Sequence, residues 1–156
     1  FTRSHVETGR ATVGPISPAD VEDCIAYLHI WCAERDCEVE LDKDLACERD
    51  AAINTLENME RLQVAGLHLR IDGEVRAFGV SARLTDEMAT LQYEKADASI
   101  KGLYQYFDQQ CARRLFNGYA YVNKESDMGI PGLAKSKRSY YPVEIVTAYR
   151  LMLKGA

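Results

Sequence analysis

The sequence has no Cys-x-x-Cys pair, and it holds only 5 cysteines and 3 histidines among 156 residues. An odd number of cysteines without such a pair argues against a disulfide framework or a zinc knuckle. No two histidines lie at a metal-ligand spacing, so we expect no metal site. Cys37 and Cys47 flank a predicted loop, where a redox or metal role stays open although the spacing fits no standard ligand set. For Cys24, Cys32 and Cys111 we expect small buried thiols in a reducing cytoplasm.

The sequence also lacks any apolar run near the ~18 residues that a membrane span requires, and it shows no signal-peptide pattern. Hydrophobic residues make up 47% and charged residues 28% of the chain. This composition is typical of a globular domain, and the length suits one domain without repeats. Because the chain begins at Phe1 rather than Met, we expect a fragment, or a C-terminal domain cut from a longer protein. We expect its location to be cytoplasmic.

Charge is distributed unevenly along the chain, whose net charge is -5. Residues 17–62 carry thirteen acids against four bases, a net charge of -9, whereas residues 95–142 carry eight bases against four acids, a net charge of +4. An acidic protein with one basic segment is typical of a local anion site and not of a surface that coats DNA.

Periodicity predicts a mixed α/β fold with a mainly antiparallel sheet. Residues 1–16 read as an extended lead-in or interdomain tail, and residues 17–156 as a single domain. Ser17 and Asp20 form the predicted capping box of a first helix that ends near residue 34. A helix over 43–61, a three-strand meander over 65–95 with a turn at Asp72-Gly73, and a helix ending near Asn117-Gly118 follow. A strand over 119–123, a short helix from about residue 130 and a final strand over 143–151 complete the order.

The third strand of the meander carries the first candidate site. Strict alternation places Thr90, Gln92 and Glu94 on one face and Ala89, Leu91 and Tyr93 on the other. Three polar side chains on one face indicate a strand that lines a cleft, or one that faces solvent. A carboxyl group in a half-buried cleft can serve as an acid or base. Glu94 is therefore either a catalytic group or one half of an ion pair with a neighbouring lysine or arginine.

Acidic side chains follow the next strand end, where α/β sheets place ligands. There Asn123, Glu125 and Asp127 predict an acidic pocket for an ammonium group, in which a carboxylate could also act as general base. The structural alternative is that Asp127 caps the short helix while Asn123 and Glu125 bind backbone groups of the turn.

A turn between two glycines, Gly129 and Gly132, comes next and can present backbone N–H groups at a helix start. Three bases follow within four residues, at Lys135, Lys137 and Arg138. Together these groups could hold a phosphate or the 3′ end of an RNA. The alternative is a solvated helix face. Gly-x-x-Gly also matches the backbone clamp of KH domains, but the order of elements differs from theirs.

Two stretches, LQYEKADASIKGLYQYFDQQ and YVNKESDMGIPGLAKSKRSYYP, resemble the C-terminal domain family of phosphatidylglycerol lysyltransferases, closest to its bacterial-type, soluble, uncharacterised relatives. The element order likewise resembles the GCN5-related N-acetyltransferase fold, and those relatives resemble two such domains in tandem. The similarity runs over about residues 17–151. Its specific motifs are Glu94-Lys95-Ala96, Lys101-Gly102, Asn123-x-Glu125-x-Asp127-x-Gly129, Gly132-Leu133 and Lys135-x-Lys137, with Pro142 behind.

The resemblance implies acyl transfer, most directly of an aminoacyl group from aminoacyl-tRNA to a hydroxyl or amine, with a preceding acetyltransferase-like domain and tRNA as partners. Glu94 and Asp127 become the predicted catalytic carboxylates, which bind or deprotonate the amine-bearing substrate. The chain lacks the membrane part of the lipid-modifying members, which makes lipid a doubtful acceptor. The predicted substrate-binding residues are Gln92, Asn123, Glu125, Gly129, Gly132, Lys135, Lys137 and Arg138.

Acetyl-CoA is a less favoured donor, because acetyltransferases hold its pyrophosphate in a Gln/Arg-x-x-Gly-x-Gly/Ala loop. The matching junction, Lys95 to Gly102, has no paired glycines and carries Asp97 where an anion should bind. Three alternatives to aminoacyl transfer stay open: a ligand- or phosphate-binding module without catalysis, an acetyl-CoA-dependent N-acetyltransferase, and an RNA-binding module. Loss of the phosphate loop is what the first of these would show.

Overall fold

The computed structural model describes residues 1–34, 43–147 and 149, without the side chains of residues 43–47. The chain forms two compact units, Phe1–Asn123 and Lys124–Ala156, and each is considered by itself. No helix of the described residues is long and apolar enough to cross a bilayer.

The described residues of the first unit form a five-stranded sheet and four α-helices. The strands lie in chain order from β1 to β5; neighbours are antiparallel except for β4 and β5, which are parallel. The predicted mixed, mainly antiparallel sheet with flanking helices is confirmed. The bounds are β1 Ala11–Pro15, α1 Val21–Ala33, α2 Lys43–Glu57, α3 Met59–Leu62, β2 Ala65–Ile71, β3 Glu74–Arg83, β4 Met88–Ala96, α4 Leu103–Leu115 and β5 Tyr121–Asn123.

Local sequence signals explain several of these boundaries. The capping box is present, since the carboxylate of Asp20 accepts hydrogen bonds from both the backbone N–H and the hydroxyl of Ser17. It begins a short 3-10 turn, Pro18–Asp20, that leads into α1. Asp72 and Gly73 both have positive φ, at 53° and 89°. Two such residues make the tight turn that joins β2 to β3.

Part of the predicted lead-in belongs to the sheet. Residues 11–15 are extended, as expected, but they form β1 and pair with β2 from Ala11 opposite Ile71 to Pro15 opposite Leu67. Before them, residues 2–6 form one wide helical turn. Phe1 stacks on His5 and contacts Tyr106 of α4. Periodicity missed β1 because five residues are too few to show alternation clearly.

The sheet separates two apolar clusters. One lies between the sheet and the helices α1 and α2, and includes Leu28, Trp31 and Phe78. The other lies under α4, and includes Leu69 and Phe107. Buried side chains of β3 and β4 therefore contribute to both clusters.

Three cysteines are free and buried, as predicted: Cys24, Cys32 and Cys111. Burial is also the main cause that raises the pKa of the Cys24 thiol to about 12. A thiol that stays protonated at neutral pH is a poor nucleophile and a poor metal ligand. Cys37, and the side chain of Cys47, lie outside the described residues.

A charged cluster at the start of α1 surrounds one buried histidine. His68 on β2 is 8% exposed, and its Nε2 lies 3.8 Å from a carboxylate oxygen of Asp20. Arg70 donates to Asp20 at 3.0 Å and to Asp23 at 2.7 Å. Burial is the main cause that lowers the pKa of His68 below its ordinary value of 6.5, while Asp20 and Asp23 act in the opposite direction and Arg70 in the same one.

This cluster gives stability a pH dependence. Because the folded pKa of His68 is lowered, the unfolded chain binds a proton there at higher pH than the folded chain. The contribution of neutral His68 to the free energy of unfolding is complete above the pKa that His68 has in the unfolded chain. It is lost as the pH falls through the pKa that His68 has in the folded chain. We expect the free energy of unfolding, measured in urea, to fall between pH 7 and 5, and His68→Leu to reduce that slope. The exposed His29 is the control, because His29→Gln should keep the slope; an unchanged slope in His68→Leu contradicts the prediction.

Within the described part of the second unit there is one helix, α5, Pro131–Arg138. None of its described residues is buried. Of the predicted final strand over 143–151, residues 143–147 form no strand. The rest of that prediction lies on residues 148, 150 and 151, which are outside the described residues, and on residue 149, which has no regular structure.

Candidate functional site

A β-bulge interrupts β4 at Gln92. Opposite β4, Val80 pairs with Tyr93 but the next residue, Ser81, pairs with Leu91. Gln92 is therefore an extra residue in the ladder with β3, and its side chain is exposed. Bulges of this kind bend a strand, re-aim its side chains and are common beside active sites.

The bulge overturns the predicted faces of β4. Leu91 belongs to the cluster under α4, whereas Tyr93 packs against the cluster under α1 and α2. Strict alternation had placed these two residues on one face. Thr90 and Glu94, predicted to share a face, therefore lie on opposite faces. The sequence offers no signal for this extra residue, because Gln92 fits a regular alternating pattern equally well.

Glu94 lies on the α4 side of the sheet, half-buried, opposite Gly79 of β3. A Cβ atom at Gly79 would lie 3.2 Å from the sulfur of Cys111 and 3.3 Å from the ring of Phe107. The glycine therefore lets α4 approach the sheet closely. Glu94 is therefore a half-buried carboxylate on the face of the sheet that α4 covers.

The parallel ladder between β4 and β5 is short. It joins three pairs, from Met88 opposite Tyr121 to Thr90 opposite Asn123. The carboxyl ends of both strands point to the same edge of the sheet, where α/β folds bind ligands. Asn123, which is half-buried, and the bulged half of β4 both lie at this edge.

Lys95 occupies the other face of the same strand end and is 6% exposed. Its ammonium group donates to Glu48 of α2 at 2.7 Å and lies 4.1 Å from the ring centre of Trp31. The indole N–H of Trp31 donates in turn to the hydroxyl of Tyr104 at 3.2 Å. This network, the Lys95 cluster, joins β4, α2, α1 and α4. Lys95, the neighbour of Glu94, forms an ion pair with Glu48 that the sequence did not indicate. The sequence analysis placed Trp31 in the apolar stripe of α1 and did not predict its contact with Lys95.

Tyr27, one turn before Trp31 on α1, is 4% exposed. Its hydroxyl has no hydrogen-bond partner among the described residues. Burial is the main cause that raises its pKa above the ordinary value of 10, and Tyr104 and Asp97 add to the effect. The hydroxyl is thus a neutral donor at physiological pH, close to the Lys95 cluster.

The turn after β4 is closed by Asp97, which is 8% exposed. Its carboxylate accepts the backbone N–H of Ser99 at 2.9 Å and the Ser99 hydroxyl at 2.5 Å, and it lies 3.6 Å from a guanidinium nitrogen of Arg76. An N–H group that could face a phosphate is therefore already bound. This N–H group is not available to a pyrophosphate.

Asp97 and Ser99 also line a groove of about 530 Å³ that the sequence analysis did not anticipate. The groove runs past the β2–β3 turn, where the charges are paired: Arg10 with Asp72 and Arg76 with Glu74. Paired charges of both signs give it no clear preference for an anion or a cation.

In the second unit, Lys137 is bonded within its own loop. Its ammonium group donates to the backbone carbonyls of Lys124, Glu125 and Ser126, the last two at 3.1 and 2.7 Å. Glu125 has a φ of 60°, which turns the backbone so that these carbonyls face one point. Lys137 therefore stabilises the loop Lys124–Ser126. Its predicted contact with phosphate stays a prediction.

The next residues form a second turn. Asp127 accepts the backbone N–H of Gly129 at 3.0 Å, and Gly129 has a φ of 70°. Asp127 does not cap α5, whose N-cap is Ile130 with no side-chain hydrogen bond. Asp127 therefore stabilises the turn before α5 instead of capping the helix. Its predicted catalytic role stays a prediction.

The three bases that follow lie in the last turn of α5, and Gly132 is its second residue. Cations at that end of a helix interact favourably with its dipole. Lys135 and Arg138 are exposed. The predicted convergence of these bases with Glu94 would join the two units and stays a prediction.

Comparison with known proteins gives three kinds of likeness. A family model described as phosphatidylglycerol lysyltransferase, C-terminal, matches residues 2–152. No curated protein matches the chain. A solved structure of a conserved protein of unknown function from Bacteroides thetaiotaomicron VPI-5482 is 34% identical with a TM-score of 0.82, and the match covers 92% of this chain and 50% of that one. The chain therefore spans half the length of that relative.

Solved acetyltransferases share the fold at low identity. The ribosomal-protein-alanine N-acetyltransferase from Brucella melitensis biovar Abortus 2308 is 11% identical with a TM-score of 0.63, covering 92% of this chain and 99% of that one. The aminoglycoside N-acetyltransferase AAC(6')-Iy, solved in complex with CoA, is 11% identical with a TM-score of 0.62, covering 94% and 95%. These likenesses confirm the predicted acetyltransferase-like fold and nothing beyond it.

Proposed function

Because the chain belongs to the phosphatidylglycerol lysyltransferase C-terminal family, an acyltransferase-like domain, we propose that it transfers an aminoacyl group from aminoacyl-tRNA to a hydroxyl or amine. The observation that carries the proposal is the bulge at Gln92 beside the short parallel ladder of β4 and β5. It leaves a strand end with re-aimed side chains at the edge where such sheets bind ligands.

Glu94 is the proposed general base. It is half-buried at this strand end, and a carboxylate there can take the proton from an attacking hydroxyl or ammonium group. Asp127 and Glu125 are proposed to bind the amino group of the donor, with Asn123 and Gln92 beside the reacting carbonyl. Lys135, Arg138 and the N–H groups between Gly129 and Gly132 are proposed to contact the phosphates of tRNA, with Lys137 holding their loop.

The turn at Asp97 favours an aminoacyl donor over acetyl-CoA. The carboxylate accepts the backbone N–H and the hydroxyl of Ser99, in the junction that matches the phosphate loop of acetyltransferases. A negative charge at that position repels a pyrophosphate. The preceding domain expected from the family would then supply part of the tRNA surface, and cytoplasmic location follows from that donor.

A binding experiment tests the donor. We expect a hydrolysis-resistant aminoacyl-tRNA analogue to bind at low salt with an affinity that falls as salt rises, and uncharged tRNA to bind at least about tenfold more weakly because it lacks the amino group that the acids contact. Acetyl-CoA should not bind measurably. Tight binding of acetyl-CoA, or equal binding of charged and uncharged tRNA, contradicts the proposal.

The closed turn at Asp97 also supports a second candidate, a ligand-binding module without catalysis. This candidate predicts donor binding without turnover, at any pH and with any acceptor amine or alcohol. Transfer of a labelled aminoacyl group to an added acceptor excludes it.

A further inference from the structure

The half of β4 beyond the bulge, residues 93–96, has two ways of pairing with β3. β5 ends at Asn123, the residue that pairs with Thr90, so β5 fixes the register of β4 only before the bulge. A slip of the later half by one residue would absorb the extra Gln92 into the ladder and turn every following side chain to the other face. Contacts of those following side chains must therefore select the observed register.

Apolar packing does not distinguish the two registers, because each face of this segment carries one apolar and one charged residue. Tyr93 and Lys95 lie on the side of α1 and α2. Glu94 and Ala96 lie on the side of α4. After a slip the two pairs would exchange faces, and one apolar side chain would still reach each cluster. The charged residues, in contrast, would meet different partners.

In the observed register Lys95 meets groups that suit a cation. Its side chain is 7% exposed, and its ammonium group donates to Glu48 at 2.7 Å and lies 4.1 Å from the centre of the Trp31 ring. The indole N–H donates to Tyr104 of α4 at 3.2 Å, which holds the face of the ring toward the ammonium group. A carboxylate and an aromatic face together compensate a buried positive charge.

The slipped register would reverse these charges. It would bring Glu94 to the side of Glu48, where two carboxylates repel each other. It would also move Lys95 away from its carboxylate and into the cluster that contains Leu69 and Phe107. A buried charge that has lost its partner is strongly unfavourable. The order Glu94-Lys95, next to one acid on α2, therefore distinguishes two registers that the apolar residues do not.

We propose that Lys95 is a positioning residue: its ion pair with Glu48 selects the bulged register of β4 and thereby holds the carboxylate of Glu94 on the face that α4 covers. Selection of one register is the best-attested role of buried polar and ionic groups. The selection itself does not depend on the proposed function. Its consequence for catalysis rests on that function, because Lys95 acts on the reaction only through Glu94 as the base.

A charge reversal on α2 tests the register. Glu48→Lys puts a second cation beside Lys95 in the bulged register, but gives Glu94 an opposite charge in the slipped one, so we expect β4 to slip. Glu48→Lys combined with Lys95→Glu restores an ion pair and should restore the bulged register. Asp50→Lys is the matched control, because it makes the same reversal on the same helix at a side chain that is 70% exposed. It should leave the register unchanged.

Nuclear Overhauser contacts between backbone protons of β3 and β4 measure the register. Val80 should contact Tyr93 in the original chain and in the control, and Gln92 after a slip. If Glu48→Lys does not fold, Lys95→Met decides, since it removes the charge that distinguishes the registers and should show both contacts. A contact of Val80 with Tyr93 alone in Lys95→Met, or a slip in Asp50→Lys, overturns the proposal.

Transfer of a labelled aminoacyl group measures the consequence for Glu94. Glu48→Lys should lower the single-turnover rate about 100-fold, as loss of the base does, with donor affinity within about twofold. The exchanged pair should return the rate to within about threefold of the original. A slip with an unchanged rate overturns the positioning role. If the original chain transfers no aminoacyl group, the proposed function fails, and the contacts of Val80 still decide whether the ion pair selects the register.

Discussion

Replacing Glu48 with alanine should lower the free energy of unfolding by about 2–3 kcal/mol, because it leaves the ammonium group of Lys95 buried without its carboxylate. The side chain of Lys95 is 7% exposed and that of Glu48 is 30% exposed. Water reaches the glutamate side of the pair, so the expected loss is below the full value for a buried pair. The ring of Trp31 still faces the cation and offsets part of the cost.

Two variants separate this effect from a loss of packing. Lys95→Met keeps the length of the side chain and removes the charge, so Glu48→Ala combined with Lys95→Met should be more stable than Glu48→Ala alone. Asp50→Ala, at a side chain that is 70% exposed in its ion pair with Arg49, should change stability by less than about 0.5 kcal/mol. Urea unfolding measures the stability of Glu48→Ala, Lys95→Met, their combination and Asp50→Ala. Additive losses for the pair would show that the two groups do not interact.

Replacing Glu94 with glutamine should lower the rate of aminoacyl transfer about 100-fold, since loss of a general base costs that much or more. The amide keeps the volume and the hydrogen-bonding geometry but cannot take a proton. Donor affinity should stay within about twofold, because the reacting proton is not part of ground-state binding. Single-turnover transfer of a labelled aminoacyl group measures the rate, and the urea midpoint checks the fold.

Glu87→Gln provides the matched control for this experiment. Glu87 is exposed and immediately precedes β4, so its loss should leave the rate unchanged. Equal rates for Glu94→Gln and the original chain would remove Glu94 from the mechanism. Equal losses in both variants would point to a general effect on charge or donor encounter.

Much of the first unit could be predicted because its signals are local. The capping box at Ser17, the turn at Asp72-Gly73 and the apolar stripes of α1 and α4 each depend on residues near one another in sequence. They fix where elements begin and end. The family motifs added the fold and the acyltransferase class, which no local pattern contains.

The site geometry could not be predicted, because it depends on one extra residue and on partners far apart in sequence. The residue types around Gln92 do not distinguish a bulge from regular alternation. The difference lies in the register between β3 and β4, which shifts between Val80 and Ser81. Lys95 and Glu48 are 47 positions apart. The carbonyl contacts of Lys137 depend on a positive φ at Glu125, which is rare for a residue with a side chain and has no sequence signal.

Those carbonyl contacts make the side-chain amine of Lys137 the group that holds the loop Lys124–Ser126 in its conformation. Three oxygen atoms carrying partial negative charge face a single nitrogen at Lys137. If the amine were acetylated, its charge and most of its N–H donors would disappear, and the three dipoles would repel one another with nothing between them. The segment Lys124–Ser126 would then have to open toward solvent, so a modification of one side chain in α5 would reshape the loop that carries the acids.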